Sequence, residues 1–168
     1  MSKILVTGGA GFIGSHLVEQ LVREGNDVII LDTLSRGNKL DKKIASSVNL
    51  VKKDIRDYEA VNNCTRNCEY IYHFAAVLGV DIVADNPVET MEVEALGMKN
   101  IVDAALANNV KKIIYASTSG VYGKTAIEKS VAEDFVLDPR SSYSIAKRFN
   151  EIYLSAVYQE SKMESLAL

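Results

Sequence analysis

Apolar residues fall along the chain in short blocks with two alternating spacings. Residues 3–7 form a compact run of strand length, and residues 11–24 then carry Ile13, Leu17, Val18 and Leu21 at helical spacing. Gly25-Asn26-Asp27 turns the chain into a second strand at 28–31. A polar stretch rich in Ser, Gly, Asn and Lys leads to a third strand at 48–51, a short helix over 57–63 and a fourth strand over 69–74. Pro87 suits the first turn of a long helix reaching Asn108, with Val93, Leu96, Ile101, Ala104 and Ala105 predicted on its buried face. A fifth strand over 112–116, a helix over 142–160 and a further strand over 165–168 complete the pattern.

Strands separated by helix-length segments imply parallel pairing through right-handed crossovers. The expected fold is α/β, a Rossmann-type doubly wound parallel sheet with helices on both faces, over residues 1–168. Such sheets bind ligands beyond the carboxyl ends of their strands, so the residues just after each strand carry the functional expectation. After the first strand the chain reads Thr7-Gly8-Gly9-Ala10-Gly11-Phe12-Ile13-Gly14. Gly9, Gly11 and Gly14 satisfy G-x-G-x-x-G, and Gly8, Gly11 and Gly14 satisfy G-x-x-G-x-x-G. A pyrophosphate site needs that tight turn, a backbone without Cβ where the phosphates approach, and a helix N-terminus to receive their charge. Asp32 closes the second strand, 18 residues after Gly14, where a carboxylate can accept hydrogen bonds from ribose hydroxyls and repel a 2′-phosphate. Nearby Arg36 is a cation of the kind that accommodates NADP, but Asp32 holds the nearer position and NAD is the expected cofactor. Asp54 and Ile55 follow the third strand, a carboxylate and an apolar side chain placed to hold adenine.

Tyr143 and Lys147 stand four apart, on one face of the 142–160 helix. A phenol with a pKa of about 10 is a weak base at neutral pH. A nearby ammonium and an oxidised nicotinamide would both favour the phenolate, letting Tyr143 take a proton from a sugar hydroxyl as hydride leaves the same carbon. Ser117-Thr118-Ser119 follows the fifth strand at the same sheet edge, and any of the three hydroxyls could share that proton.

Composition narrows the setting. Apolar residues are 48% and charged residues 24% of the 168, as in ordinary globular domains. A net charge of −3 without a basic cluster gives no reason to expect nucleic acid or a membrane as partner. The first strand begins at Lys3, leaving no room for a signal peptide ahead of it, and a cytoplasmic location is expected. Cys64 and Cys68 have no second pair, and His73 is not spaced to join them, so two reduced structural thiols and no metal site are expected.

These residues together resemble the extended branch of the short-chain dehydrogenase/reductase family, the nucleotide-sugar epimerases, dehydratases and decarboxylases. The resemblance rests on Thr7 to Gly14, Asp32-Thr33-Leu34-Ser35, Asp54-Ile55, His73-Phe74-Ala75-Ala76, Ser117-Thr118-Ser119-Gly120-Val121-Tyr122-Gly123, and Tyr143 with Lys147. It implies that Phe12 and Ile13 lie beside the pyrophosphate, and that Asp32, Thr33, Leu34, Ser35, Arg36 and Gly37 surround the adenosine. It further implies that Asp54 and Ile55 meet the adenine and that Phe74, Ala75, Ala76, Val77 and Leu78 line the rest of the groove, with Tyr143 and Lys147 also binding the cofactor. Four residues before the tyrosine of V-Y-G, the family pattern selects Thr118 as the catalytic hydroxyl, beside Tyr143 and Lys147. Where related dehydratases and decarboxylases carry carboxylates before V-Y-G, this chain has Ser119 and Gly120. The resemblance therefore favours NAD-dependent epimerisation of a UDP-sugar through a 4-keto intermediate, UDP-glucose first. It also implies a homodimer through the long helices.

Two departures from the family pattern stand out. An asparagine usually precedes Gly97 by three residues; here it is Glu94, which either weakens cofactor binding or points away from it. The family's substrate domain follows the Rossmann part, and by that resemblance it is absent from residues 1–168. The expectation is a chain that binds NAD without turnover by itself; the alternatives are a non-catalytic NAD-binding module, or another nucleotide-sugar dehydratase, decarboxylase or reductase of the same family.

Overall fold

A computed structural model describes residues 1–124 and 130–168. β1 (Lys3–Thr7), β2 (Asp27–Asp32), β3 (Asn49–Lys52), β4 (Tyr70–His73), β5 (Lys112–Tyr115) and β6 (Glu164–Ala167) form one sheet. Its order is β3-β2-β1-β4-β5-β6, with every neighbouring pair parallel. The chain starts in the centre, steps outward through β2 and β3, then crosses back to β4 on the other side of β1. That reversal opens a crevice at the carboxyl ends of β1 and β4, where doubly wound sheets bind ligands.

The strands are apolar on both faces because helices cover both. α1 (Phe12–Arg23) packs Val18 and Leu21 against Ile4, Val6, Val28 and Ile30. The opposite face, including Leu5, Leu31, Ile71, Ile113 and Tyr115, meets α3 (Tyr58–Thr65), α5 (Pro87–Ala107) and α6 (Ser142–Ser161). Three short elements lie in stretches the sequence pattern left irregular: α2 (Lys42–Ala45), α4 (Val80–Asp85) and a 3₁₀ turn at Ser119–Tyr122. No described helix is long and apolar enough to cross a membrane.

The buried face of α5 differs from the expected one. Ile101, Ala104 and Ala105 are buried as expected, but Leu96 is half exposed, and Thr90, Glu94, Gly97 and Met98 are buried as well. The reason is Gly97. A Cβ there would lie 2.3 Å from Cδ1 of Ile55, so the helix sits close over that side chain and rotates Leu96 outward. Cys64 and Cys68 are free and buried, and burial pushes the Cys68 thiol up to about 11.

Candidate active site

The glycine turn is fixed by contacts that leave no room for side chains. Gly8 has a φ of +69°, and a Cβ on it would lie 2.6 Å from the Ala75 nitrogen, so the end of β1 rests directly on the chain leaving β4. A Cβ on Gly14 would come 2.3 Å from the Gly8 carbonyl oxygen, which holds the start of α1 against the turn. α1 begins without a side-chain cap, its N-cap being Gly11, and Phe12 and Ile13 stand exposed beside that end. Uncapped N–H groups at a helix start, bounded by glycine, are the donor set an anionic pyrophosphate requires.

Asp32 ties this turn to the end of β2. Its carboxylate accepts from the Ala10 N–H at 3.0 Å and from the Leu34 N–H at 2.8 Å. It is therefore a strand-end turn former, and its partial exposure leaves it able to face a ribose as well. Thr33 to Gly37 make a tight loop, with Leu34 at φ 60° and Gly37 at φ 80°, closed by the Gly37 N–H on the Leu34 carbonyl. Ser35 and Arg36 are exposed, and Arg36 has no ion-pair partner among the described residues. Asp54 pairs with Arg56 at 2.7 Å, and hydrogen bonds from that side chain hold its carboxyl below the ordinary range. The Ile55 side chain is buried and packs against Gly97 in the core.

A row of side chains crosses the sheet's carboxyl edge. Register places Thr7 beside His73 and His73 beside Tyr115. The Thr7 hydroxyl meets His73 Nδ1 at 2.7 Å, and the His73 and Tyr115 rings stack at 5.7 Å. Burial, with the Lys147 charge adding to it, drives the His73 pKa down to about 3 and keeps the ring neutral. Beyond β4, Phe74 to Val77 are half-buried and Leu78 is exposed. Val77 and Leu78 join Val80, Val83, Pro87 and Tyr143 around a cleft of about 430 Å³.

Tyr143 reaches that cleft because Ser141 starts α6 there. The Ser141 hydroxyl accepts from the Ser144 N–H at 3.1 Å and the Ser144 hydroxyl accepts from the Ser141 N–H at 3.0 Å, a reciprocal cap. One turn on, Lys147 is buried, with Nζ 5.2 Å from the Tyr143 ring centroid and 4.7 Å from that of Tyr115. It donates to the Ala116 carbonyl at 2.9 Å and pairs with Glu94 at 3.1 Å. Glu94 therefore points inward, at the lysine. Burial and then the Glu94 charge push the Tyr143 phenol up to about 12, opposite to the lowering expected from Lys147 alone. The neighbouring carboxylate offsets the ammonium whose field was to favour the phenolate.

The three hydroxyls after β5 separate clearly. Ser117 donates to Glu151, and Ser119 is exposed. Thr118 accepts from the Gly120 N–H at 3.1 Å, which leaves its own proton to donate. Gly120 packs between Thr118 and the first turn of α6, a Cβ there lying 3.4 Å from both Thr118 Oγ1 and Ser144 Cβ.

The NAD dependent epimerase/dehydratase family model matches residues 4–168. The chain belongs to that family. Similar curated proteins include a putative UDP-glucose 4-epimerase of Methanocaldococcus jannaschii, 39% identical over 153 residues, covering 90% of this chain and 49% of the relative. A UDP-N-acetyl-alpha-D-glucosaminuronate decarboxylase of Bacillus cytotoxicus is 36% identical over 154 residues, covering 89% and 48%. Among solved structures, the UDP-glucose 4-epimerase of Thermus thermophilus in complex with NAD superposes with a TM-score of 0.88 at 34% identity, covering 98% of this chain and 53% of that one. The chain thus spans about half the length of the curated relatives it matches.

Several residues packed at this edge escaped sequence reasoning. Tyr115 carries no local signal, since it is one more residue in a strand. Asn150 was findable: it lies on the helix face of Tyr143 and Lys147. Its amide donates to the Tyr115 hydroxyl at 3.0 Å and the Glu94 carbonyl at 3.2 Å. Asn100 donates to the Ile55 and Arg56 carbonyls at 3.0 Å each and so holds the loop after β3.

Proposed function

We propose that residues 1–168 form the NAD-binding domain of a nucleotide-sugar epimerase acting on a UDP-sugar, UDP-glucose first. The observation that carries the reading is Tyr143 opening onto the cleft, with buried Lys147 beneath its ring, at the same sheet edge as the glycine turn and Asp32. The residues present fit the cofactor: Gly8 and Gly14 lie too close to neighbouring backbone to admit a Cβ, which keeps the turn tight at the uncapped start of α1, and the part-exposed Asp32 carboxylate beside it suits a ribose. Gly8, Gly11, Phe12, Ile13 and Gly14 hold the pyrophosphate, Asp32 to Gly37 with Asp54 the adenosine, and Phe74 to Leu78 the groove towards Tyr143 and Lys147.

When bound, an oxidised nicotinamide supplies the hydride acceptor and a positive charge that favours the phenolate. Tyr143 takes the proton of the sugar's 4-hydroxyl and keeps it while the 4-keto sugar turns. It returns the proton when the opposite face is reduced. Thr118 donates to the reacting oxygen, and Lys147 positions the phenol from below. Ser119 and Gly120 supply no carboxylate beside the sugar, which favours epimerisation over elimination or decarboxylation.

The grip on the sugar nucleotide belongs, in this reading, to a domain outside residues 1–168. Positioning a substrate supplies roughly 7–11 kcal/mol of barrier reduction, so the 168-residue chain alone is expected to bind NAD without turnover. A second copy docks on the outer faces of α5 and α6, where Leu96, Ile145, Phe149 and Ile152 are exposed. Calorimetric titration of NAD, with an assay for UDP-glucose and UDP-galactose interconversion in the chain and in the longer protein, tests the proposal. No NAD binding would overturn it; carbon dioxide release from a UDP-uronate would move it to decarboxylation.

A further inference from the structure

Glu94 and Lys147 put two opposite charges where solvent does not reach, their side chains 0% and 1% exposed and the charged atoms 3.1 Å apart. The titratable groups packed around them are neutral. His73 is held far below its ordinary pKa by burial, and burial raises both Tyr115 and Tyr143. Glu151, one turn along α6, is already paired with Arg148 at 2.8 Å. Asn150 contributes only its amide. Burial raises the Glu94 carboxyl, and Lys147 and the main chain of Val77, a wall of the cleft that Tyr143 enters, oppose that rise. The net charge here is zero whether the pair is ionised or the proton has passed from lysine to glutamate.

We propose that Glu94 is a charge-balancing residue that makes the site bind the oxidised, positively charged nicotinamide in preference to the reduced, neutral one. The inference rests on reading Tyr143 and Lys147 as the reacting end of the cofactor groove. A lone buried ammonium at that end would repel a second positive charge, and in a low-dielectric interior the repulsion is barely screened. Glu94 cancels it. A neutral residue at position 94 would leave the repulsion, and it would act on only one redox form of the cofactor. Glu94 touches no reacting atom in this scheme; it acts through Lys147.

The test measures dissociation constants for NAD⁺ and NADH in the wild-type chain, Glu94→Gln, Lys147→Met and the double variant. Glu94→Gln, in mildly acidic buffer that keeps Lys147 charged, is expected to weaken NAD⁺ relative to NADH by about tenfold. Lys147→Met, in mildly alkaline buffer that keeps Glu94 ionised, shifts the ratio the other way. The double variant replaces a buried pair by neutral groups of similar size, a change such sites tolerate, and its ratio returns to near the wild-type value. Equal loss of both forms in Glu94→Gln, or a displaced ratio in the double variant, overturns the proposal. If Glu94→Gln fails to fold, Lys147→Met and the double variant decide by the same criterion. A wild-type chain that binds neither form defeats the reading of the groove and this role with it. Normal binding with an unmoved ratio removes only the role of Glu94.

Discussion

The two ends of the groove are made of different material. At the proposed adenosine end the groups are mostly main chain, a glycine turn and the uncapped N–H groups of α1, with the Asp32 carboxylate anchored by two backbone donors. At the reacting end they are side chains from four elements, with Glu94 of α5, Lys147 and Asn150 of α6, Tyr115 of β5 and His73 of β4 buried together. Backbone donors need no partner beyond the turn that shapes them, so the first end is open and local. Buried charges must be paired at once, so the second end is closed and cooperative. In the proposed reading, the phosphate and ribose contacts and the proton transfer thereby lie at opposite ends of one sheet edge.

The separation breaks most sharply at Tyr143. Tyr143→Phe keeps the ring and its packing and removes the proton carrier. In a chain that also carries the proposed substrate domain, kcat should fall ~10²–10⁴-fold while NAD affinity changes little. Steady-state rates with a parallel NAD titration check this, and a variant keeping most of its kcat would remove Tyr143 from the mechanism.

Gly14→Ala attacks the opposite end. Its Cβ would press to 2.3 Å on the Gly8 carbonyl, and overpacking of that kind costs about 1–3 kcal/mol. We expect a lower melting temperature and strongly weakened NAD binding; an unchanged dissociation constant would show that the turn does not shape the phosphate site.

The closed end should also report itself through pH. His73 has a folded pKa of about 3 against an ordinary value of 6.5, so the unfolded chain takes up a proton that the folded chain refuses. Stability from this group is complete above about pH 6.5 and declines as pH falls towards the folded value. Denaturant midpoints measured between these limits should drop with acid, and His73→Gln should flatten part of that slope. An identical slope in the variant would show that His73 is not the group being titrated.

Asp32→Ala is the mildest of the four. It removes one carboxylate from an end built of backbone, so the preference for NAD over NADP should narrow, with the fold retained. Comparable affinities for the two cofactors in the wild type would instead assign the choice to Arg36.

The glycine turn and Asp32 were legible in the sequence because they are written in local spacing. A glycine series between a strand and a helix, followed by an aspartate at the next strand end, needs no knowledge of distant residues. The alternation of strand and helix patterns likewise forced a parallel sheet. Ile55 shows the limit: its position after β3 was right, but its side chain faces α5, because Gly97, 42 residues later, leaves a hollow that only Ile55 fills.

Sequence alone determined which residues flank each strand end, and hence the glycine turn, Asp32, and the Tyr143 and Lys147 pair on one helix face. Only the tertiary structure decided what Lys147 faces. Helical spacing fixes how two side chains of α6 sit relative to each other, but α5 and α6 had to pack before Glu94 and Lys147 met. Once they do, burial forbids either charge from standing alone. The pair leaves no net charge there, and burial, with the Glu94 charge adding to it, keeps the proton on Tyr143.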